Sequence, residues 1–132
     1  MGQITLSGLA LVGAGGAAGA MARFGVAMAM SGAQRPPTLW VTWLVNVAGC
    51  VLAGLLVGLA DPETGVSERW RWLLIVGFCG GLTTFSAFGL ETFDLLRQGK
   101  FTSAGVYVGG SVVCGVAGLA VGWFAARALR GA

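Results

Sequence analysis

The chain has 132 residues, of which 56% are hydrophobic and 24 are Gly, against eight basic and five acidic side chains. A soluble domain carries about a quarter of its residues charged, so this chain lacks the polar surface to cover a water-facing particle, and its expected solvent is lipid. It contains no His, which removes the commonest general base, imidazole metal sites and the Ser-His-Asp and Cys-His nucleophile systems; it is not expected to be an enzyme.

Cys50, Cys79 and Cys114 lie far apart in apolar runs, with no CxxC pair and an odd count, and read as small membrane-buried residues. The net charge of +3 is modest and its basic residues are scattered, so the basic stripe that nucleic-acid binding needs is absent. The first apolar run is too long for a cleaved signal peptide and reads as a retained span.

Four apolar runs follow in order, approximately 4–30, 39–60, 72–96 and 101–129. A hydrocarbon core of about 30 Å needs about 20 helical residues to cross it, and backbone polar groups there must bond internally, so the expectation is an all-α membrane protein of four transmembrane helices in one domain. The breaks are Arg35-Pro36-Pro37, the charged stretch from Asp61-Pro62-Glu63 to Arg71, and the tight Arg97-Gln98-Gly99-Lys100 turn, which should make the last two helices antiparallel neighbours.

The basic residues divide almost evenly between the two faces. Arg69, Arg71, Arg127 and Arg130 share the side of the termini; Arg35, Arg97 and Lys100 lie on the other, with Arg23 near it. The positive-inside rule then gives almost no bias, so copies can insert in both orientations, and the natural assembly is an antiparallel homodimer with a two-fold axis in the membrane plane. Small-xxx-small spacings at Gly15/Gly19, at Gly54/Gly58 and along Gly110, Cys114, Gly118, Gly122 read as close helix packing. The segment Gly13-Ala14-Gly15-Gly16-Ala17-Ala18 imitates a dinucleotide fingerprint, but it lacks the βαβ context and downstream acid, so no nucleotide is expected.

Polar residues inside the spans cost free energy unless they meet a partner or a wet path. Thr42 and Asn46 lie one turn apart on the second span, with Gly49 beyond them. The third span carries Gly77-Phe78-Cys79-Gly80-Gly81-Leu82-Thr83-Thr84-Phe85-Ser86-Ala87-Phe88, with adjacent glycines and three hydroxyls at mid-membrane depth. This helix is expected to be broken at the Gly80-Gly81 pair, freeing carbonyls suited to a hard cation such as Na⁺. Glu91 lies further along, and Tyr107 and Ser111 share a face of the fourth span. Neutral donors and aromatic edges along such a track suit a small anion better than a cation.

Gly19-Ala20-Met21-Ala22-Arg23, Thr42-Trp43-Leu44-Val45-Asn46-Val47-Ala48-Gly49 and the Gly77–Phe88 segment followed by Glu91 resemble, in order and over nearly the whole chain, the Fluc/CrcB family of fluoride channels. The resemblance implies a fluoride-selective channel in the cytoplasmic membrane, built as an antiparallel dual-topology homodimer. It implies that backbone carbonyls of Gly80 and Thr83 hold a central Na⁺, that Phe85 and Phe88 present ring edges to fluoride, that Asn46 donates a side-chain N–H to it, and that Arg23 helps form a positive entrance. Thr42, Ser86, Glu91, Tyr107 and Ser111 would continue the track. The chain departs from the family's pattern at Ala87, Gly89 and Gly115, where members often carry hydroxyl residues. Two other readings remain beside it: a dual-topology proton-coupled exporter of cationic drugs, which would want an acid in the first span where this chain has Arg23, and a structural subunit packed through its glycines.

Overall fold

The computed structural model describes residues 5–31, 39–60 and 67–131. The Arg35-Pro36-Pro37 and Asp61-Pro62-Glu63 breaks, and Arg35 of the charge tally, lie outside the described residues. Those described are all helix and turn: α1 (Leu6–Ser31), α2 (Leu39–Leu59), a short α3 (Glu68–Trp70), a wide-turned π-helical stretch (Arg71–Cys79), α4 (Gly80–Leu82), α5 (Phe85–Arg97) and α6 (Phe101–Gly131). Among the described residues four spans are long and apolar enough to cross a bilayer, Leu6–Ser31, Leu39–Leu59, Glu68–Arg97 and Phe101–Gly131, so the chain is a multi-pass membrane protein.

Glycine places the helices in two close pairs. α1 lies along the first half of the third span and α2 along α6. In the first pair a Cβ on Gly15 would overlap the Leu73 carbonyl, one on Gly19 the Phe78 carbonyl, and one on Gly81 the Gly16 carbonyl. In the second, Gly54 faces the Leu119 carbonyl and Gly122 the Val51 carbonyl in the same way. Lipid tails are as apolar as side chains, so backbone proximity of this kind, rather than a hydrophobic drive, holds membrane helices together. The expected row on the fourth span is uneven: Gly118 and Gly122 pack against α2, whereas a Cβ added at Gly110 would find, among the described residues, nothing beyond its own helix within 4 Å.

The third span leaves helical geometry at Thr83 (φ −80°, ψ 152°) and Thr84 (φ −144°, ψ 118°). Gly80 keeps α-helical dihedrals at φ −63°, ψ −36°, so the departure comes three residues after the start of the glycine pair. The pair has a different use: Gly81 admits the α1 backbone, and Gly80 is exposed with open space beside it. Two β-branched residues, whose crowded Cβ disfavours helix, carry the extended dihedrals instead. α5 then restarts with Thr84 as its N-cap, the Thr84 hydroxyl accepting from Ala87 N at 3.2 Å.

α5 ends at a tight turn into α6. Gly99 adopts φ 71°, Lys100 N donates to Leu95 O at 2.9 Å and Gly99 N to Leu96 O at 3.0 Å. This is the double bond pattern that closes a helix on a left-handed glycine. At opposite membrane faces, Arg97 lies over the Phe93 ring at 5.9 Å and Arg127 over Trp123 at 5.3 Å, cation–aromatic pairs suited to the headgroup level.

The glycine contacts make a paired prediction. Gly54→Leu should lower the thermal midpoint of the detergent-solubilised protein, by overpacking worth about 1–3 kcal/mol or more. Gly109→Ala, where a Cβ meets, among the described residues, nothing beyond its own helix within 4 Å, should be neutral or stabilising by up to ~1 kcal/mol. Equal effects at both positions would refute the close approach of α2 and α6.

Candidate functional site

The interruption at Thr83–Thr84 leaves backbone groups without helical partners at membrane depth, and polar side chains from two other helices take them up. In a continuous helix Thr84 N–H would bond to the Gly80 carbonyl. Here it donates to Asn46 Oδ1 at 2.7 Å, while Asn46 Nδ2 donates to the Thr84 carbonyl at 3.1 Å. Because a backbone N–H only donates and a carbonyl only accepts, this pair of bonds fixes which way the amide points. It also uses one of the two Nδ2 hydrogens and leaves the other available. On α1, Arg23 Nε donates to the Gly81 carbonyl at 3.3 Å, the acceptor that Phe85 N–H would have used in an unbroken helix.

Local chemistry completes the interruption. Thr83 Oγ1 donates to the Cys79 carbonyl at 2.9 Å, beside Thr83 N–H to the same oxygen at 3.0 Å. The Thr83 methyl stands where a Cβ on Gly49 would be, which is the use of the room that Gly49 opens on α2. Thr84 and Ser86 hydroxyls pair at 3.1 Å. The first backbone N–H groups of α5 face the break, and with the helix dipole they give it a positive end.

A second polar cluster sits about two turns along α5. Thr42 Oγ1 donates to Glu91 Oε1 at 2.6 Å and the Tyr107 hydroxyl to Oε2 at 2.5 Å. One carboxylate thus joins α2, α5 and α6, each oxygen having its own donor. Thr42 is among the most buried polar residues, at 6% exposure. The Phe88 ring links the two clusters: its centroid is 5.5 Å from that of Phe85 and 5.3 Å from that of Tyr107.

Two hollows flank the interruption. A cleft of about 490 Å³ lies between α1, α2 and α5, with Arg23, Thr42, Thr84, Glu91 and Asp94 on its wall. A cavity of about 280 Å³ is lined by Asn46, Cys50, Thr83, Phe85, Phe88 and Ser111, among others. Thr84 lines both.

The residues singled out in the sequence therefore fall into two groups and an outlier. Asn46, Thr83, Ser86, Gly80 and Arg23 surround the interruption; Thr42, Glu91 and Tyr107 form the carboxylate cluster, with Phe85 and Phe88 between. Ser111 joins neither, its Oγ being buried without a hydrogen-bond partner among the described residues, at the wall of the smaller cavity. Thr84 is a site residue that sequence reasoning misses: its backbone is what Asn46 holds, and its β-branched, N-capping side chain signals a helix start and not that backbone contact. Cys50 reads as packing in the sequence; it lies one turn beyond Asn46 on the same face of α2, and that spacing is the signal that could place it on the cavity wall.

Four apolar spans with a polar discontinuity opening on cavities define a membrane protein of the transport class. The CrcB-like protein family, Camphor Resistance (CrcB), matches residues 10–123, and the chain belongs to it. Three curated relatives are each named fluoride-specific ion channel FluC. That of Nitrobacter winogradskyi is 41% identical over 111 residues, 84% of this chain and 88% of its own. Those of Hyphomonas neptunium (43% over 123 residues; 92% and 97%) and Chlorobium luteolum (44% over 117 residues; 89% and 90%) are similar over comparable lengths.

The Asn46 bonds generate a direct test. Asn46→Ala strands two backbone groups at membrane depth at a cost of about 1–3 kcal/mol each, so the thermal midpoint should fall well below that of the parent protein. Asn46→Asp keeps an acceptor for Thr84 N–H while setting an oxygen against the Thr84 carbonyl, and should recover only part of the loss. An unchanged midpoint in Asn46→Ala would show that the amide does not hold the interruption.

Proposed function

We propose that the chain is a passive fluoride-selective channel of the cytoplasmic membrane, assembled as an antiparallel homodimer and lowering the toxicity of fluoride by letting it leave the cell. The observation that carries the reading is the polar interruption at Thr83–Thr84 set beside the Phe85–Phe88 ring pair and a cavity shared with Asn46. The names of the relatives support it from outside.

Fluoride is small and strongly hydrated, so a path for it must replace water with convergent donors. The available ones are neutral or dipolar: the second Nδ2–H of Asn46, the Ser111 hydroxyl, the positive end of α5, and the positive edges of Phe85 and Phe88. Thr42 and Tyr107 hold Glu91 in place on both oxygens, so that its carboxyl group sits at a fixed point on the track. Hydrogen fluoride crosses membranes as a neutral acid and dissociates in a less acidic cytoplasm. A negative-inside potential then favours exit of the anion by about 2.3 kcal/mol per 100 mV, and no fuel is needed. A proton-coupled cation exporter is disfavoured because α1 carries Arg23 and no acid.

The pairing of two copies rests on two features. Basic residues are spread nearly evenly over both faces, and Phe85 is 83% exposed beside polar groups of the interruption. A Na⁺ at the centre of such a pair fits the donors present. Gly80 is exposed, has lost Thr84 N–H as its helical partner, and has nothing described beyond its chain neighbours and its own helix backbone within 4 Å of where a Cβ would stand; the extended Thr83 offers a second carbonyl. Gly80 and Thr83 from each copy would hold the ion, and when bound it would supply a fixed positive charge at the paired interruptions. Hard oxygen donors of this kind suit Na⁺.

Proteoliposomes loaded with fluoride and chloride should release fluoride, read with a fluoride electrode, and retain chloride under a K⁺ diffusion potential. Phe85→Ile should cut the fluoride flux while the protein still runs as a pair on size exclusion; equal chloride release, or full flux in the variant, would sink the reading. For the cation site, replacing Na⁺ by N-methylglucamine during purification should weaken the pair or its flux, and indifference to the exchange would remove Na⁺ from the proposal.

A further inference from the structure

We infer that Arg23 is a positioning residue for the interruption of the third span, acting through a hydrogen bond from its Nε–H to the released carbonyl of Gly81, in addition to any effect of its charge on anions at the entrance. The inference deepens the channel reading and rests on it for its functional half.

The carbonyls that the interruption releases from their helical donors include, on its upstream side, those of Gly80 and Gly81. The Gly81 carbonyl lies at the C-terminal end of the upstream half-helix, where the peptide dipoles leave partial negative charge, and a cation there is favourable. Arg23 reaches it from α1 with Nε at 3.3 Å. The approach is set up by backbone packing: Gly19, one turn before Arg23, touches the Phe78 carbonyl, and Gly16 meets Gly81. Two glycines of α1 thus bring the stem of Arg23 within reach of the carbonyl.

The same residue is on the wall of the larger cleft with Thr84, Glu91 and Asp94. Its Nε faces the backbone, which leaves the far nitrogens of the guanidinium for the cleft. A planar, always-charged fork can serve both sides at once. With Asn46 taking the Thr84 N–H and carbonyl from α2, Arg23 completes a brace in which each flank of the break is held by a different helix. A residue that only drew anions toward the opening would need no bond to this carbonyl.

The test separates bond from charge. In the full-length protein, amide hydrogen exchange over residues 82–87 is compared between the parent and Arg23→Gln, and fluoride flux is measured at low and at high ionic strength. Loss of a charged hydrogen bond should raise exchange in that segment by roughly tenfold or more, and a loss of flux should persist at high salt, where charge effects at the entrance are screened. Unchanged exchange, with a flux defect that disappears as salt screens the charges, would overturn the inference. Should Arg23→Gln fail to fold, Arg23→Lys keeps the charge without a donor at the Nε position: raised exchange supports the bond, and parental protection overturns it. If the parent protein carries no fluoride at all, the channel reading fails, while the exchange comparison still decides whether Arg23 holds the break.

Discussion

The pairing of the Asn46 amide with both backbone groups of Thr84 is the constraint on which the rest of this molecule depends. Inside a bilayer there is no water to receive a stranded N–H or carbonyl, so an extended pair of residues in a membrane helix survives only if neighbours take its polar groups. Asn is suited to this because its side chain repeats the donor and acceptor of a peptide unit. It closes the Thr84 backbone much as a neighbouring strand would. The Thr84 hydroxyl then caps α5 at Ala87 N, so one residue closes the break and begins the next helix.

Packing around that point follows a division of labour. The tight contacts belong to two helix pairs, α1 with the first half of the third span and α2 with α6, both made by glycines facing carbonyls. α5 belongs to neither pair. It is attached by polar bonds: Asn46 at its start and the carboxylate of Glu91, held by Thr42 of α2 and Tyr107 of α6. Apolar association between helices is weak in lipid, and hydrogen bonds across helices are the specific alternative. The half-helix carrying Phe85 and Phe88 is therefore positioned by the same polar groups that make it chemically useful.

Sequence patterns make some of this readable and hide the rest for definite reasons. The spans are legible because an uninterrupted run of about 20 apolar residues is matched to the thickness of a bilayer and to little else. Asn46, Thr42 and Glu91 stand out because polar side chains are rare at that depth, and helical spacing puts the first two on one face. The place of the interruption is harder. Gly80-Gly81 has the composition of a breaker, yet glycine in a membrane helix serves close packing as readily, and Gly81 does so against Gly16. Thr83 and Thr84, with ordinary side chains, carry the unusual dihedrals, and Thr84's part is played by its backbone, which no residue identity reports. The bond of Arg23 to Gly81 is hidden for the same reason: the acceptor is a main-chain oxygen freed by a departure from helix two and three residues away.

The surface of the single chain is not suited to lipid throughout. The smaller cavity brings Asn46, with an uncommitted N–H, and the Ser111 hydroxyl, unpartnered among the described residues, next to a phenylalanine that is 83% exposed. A ring facing lipid costs nothing, but an uncommitted amide donor on the cavity wall and a buried hydroxyl without a partner cost several kcal/mol between them if acyl chains are all that covers them. A cover made of acyl chains cannot satisfy such groups; one made of protein and a narrow file of polar occupants can. The even spread of basic residues over both faces permits a second copy of opposite orientation, and a two-fold axis lying in the membrane plane would bring two interruptions, with their released Gly80 carbonyls, toward each other. Shared carbonyls would repel unless a cation lay between them, whereas the donors lining each cavity favour an anion. The proposed pair thus separates its charges by position, with positive charge needed at the axis and a path for negative charge beside it.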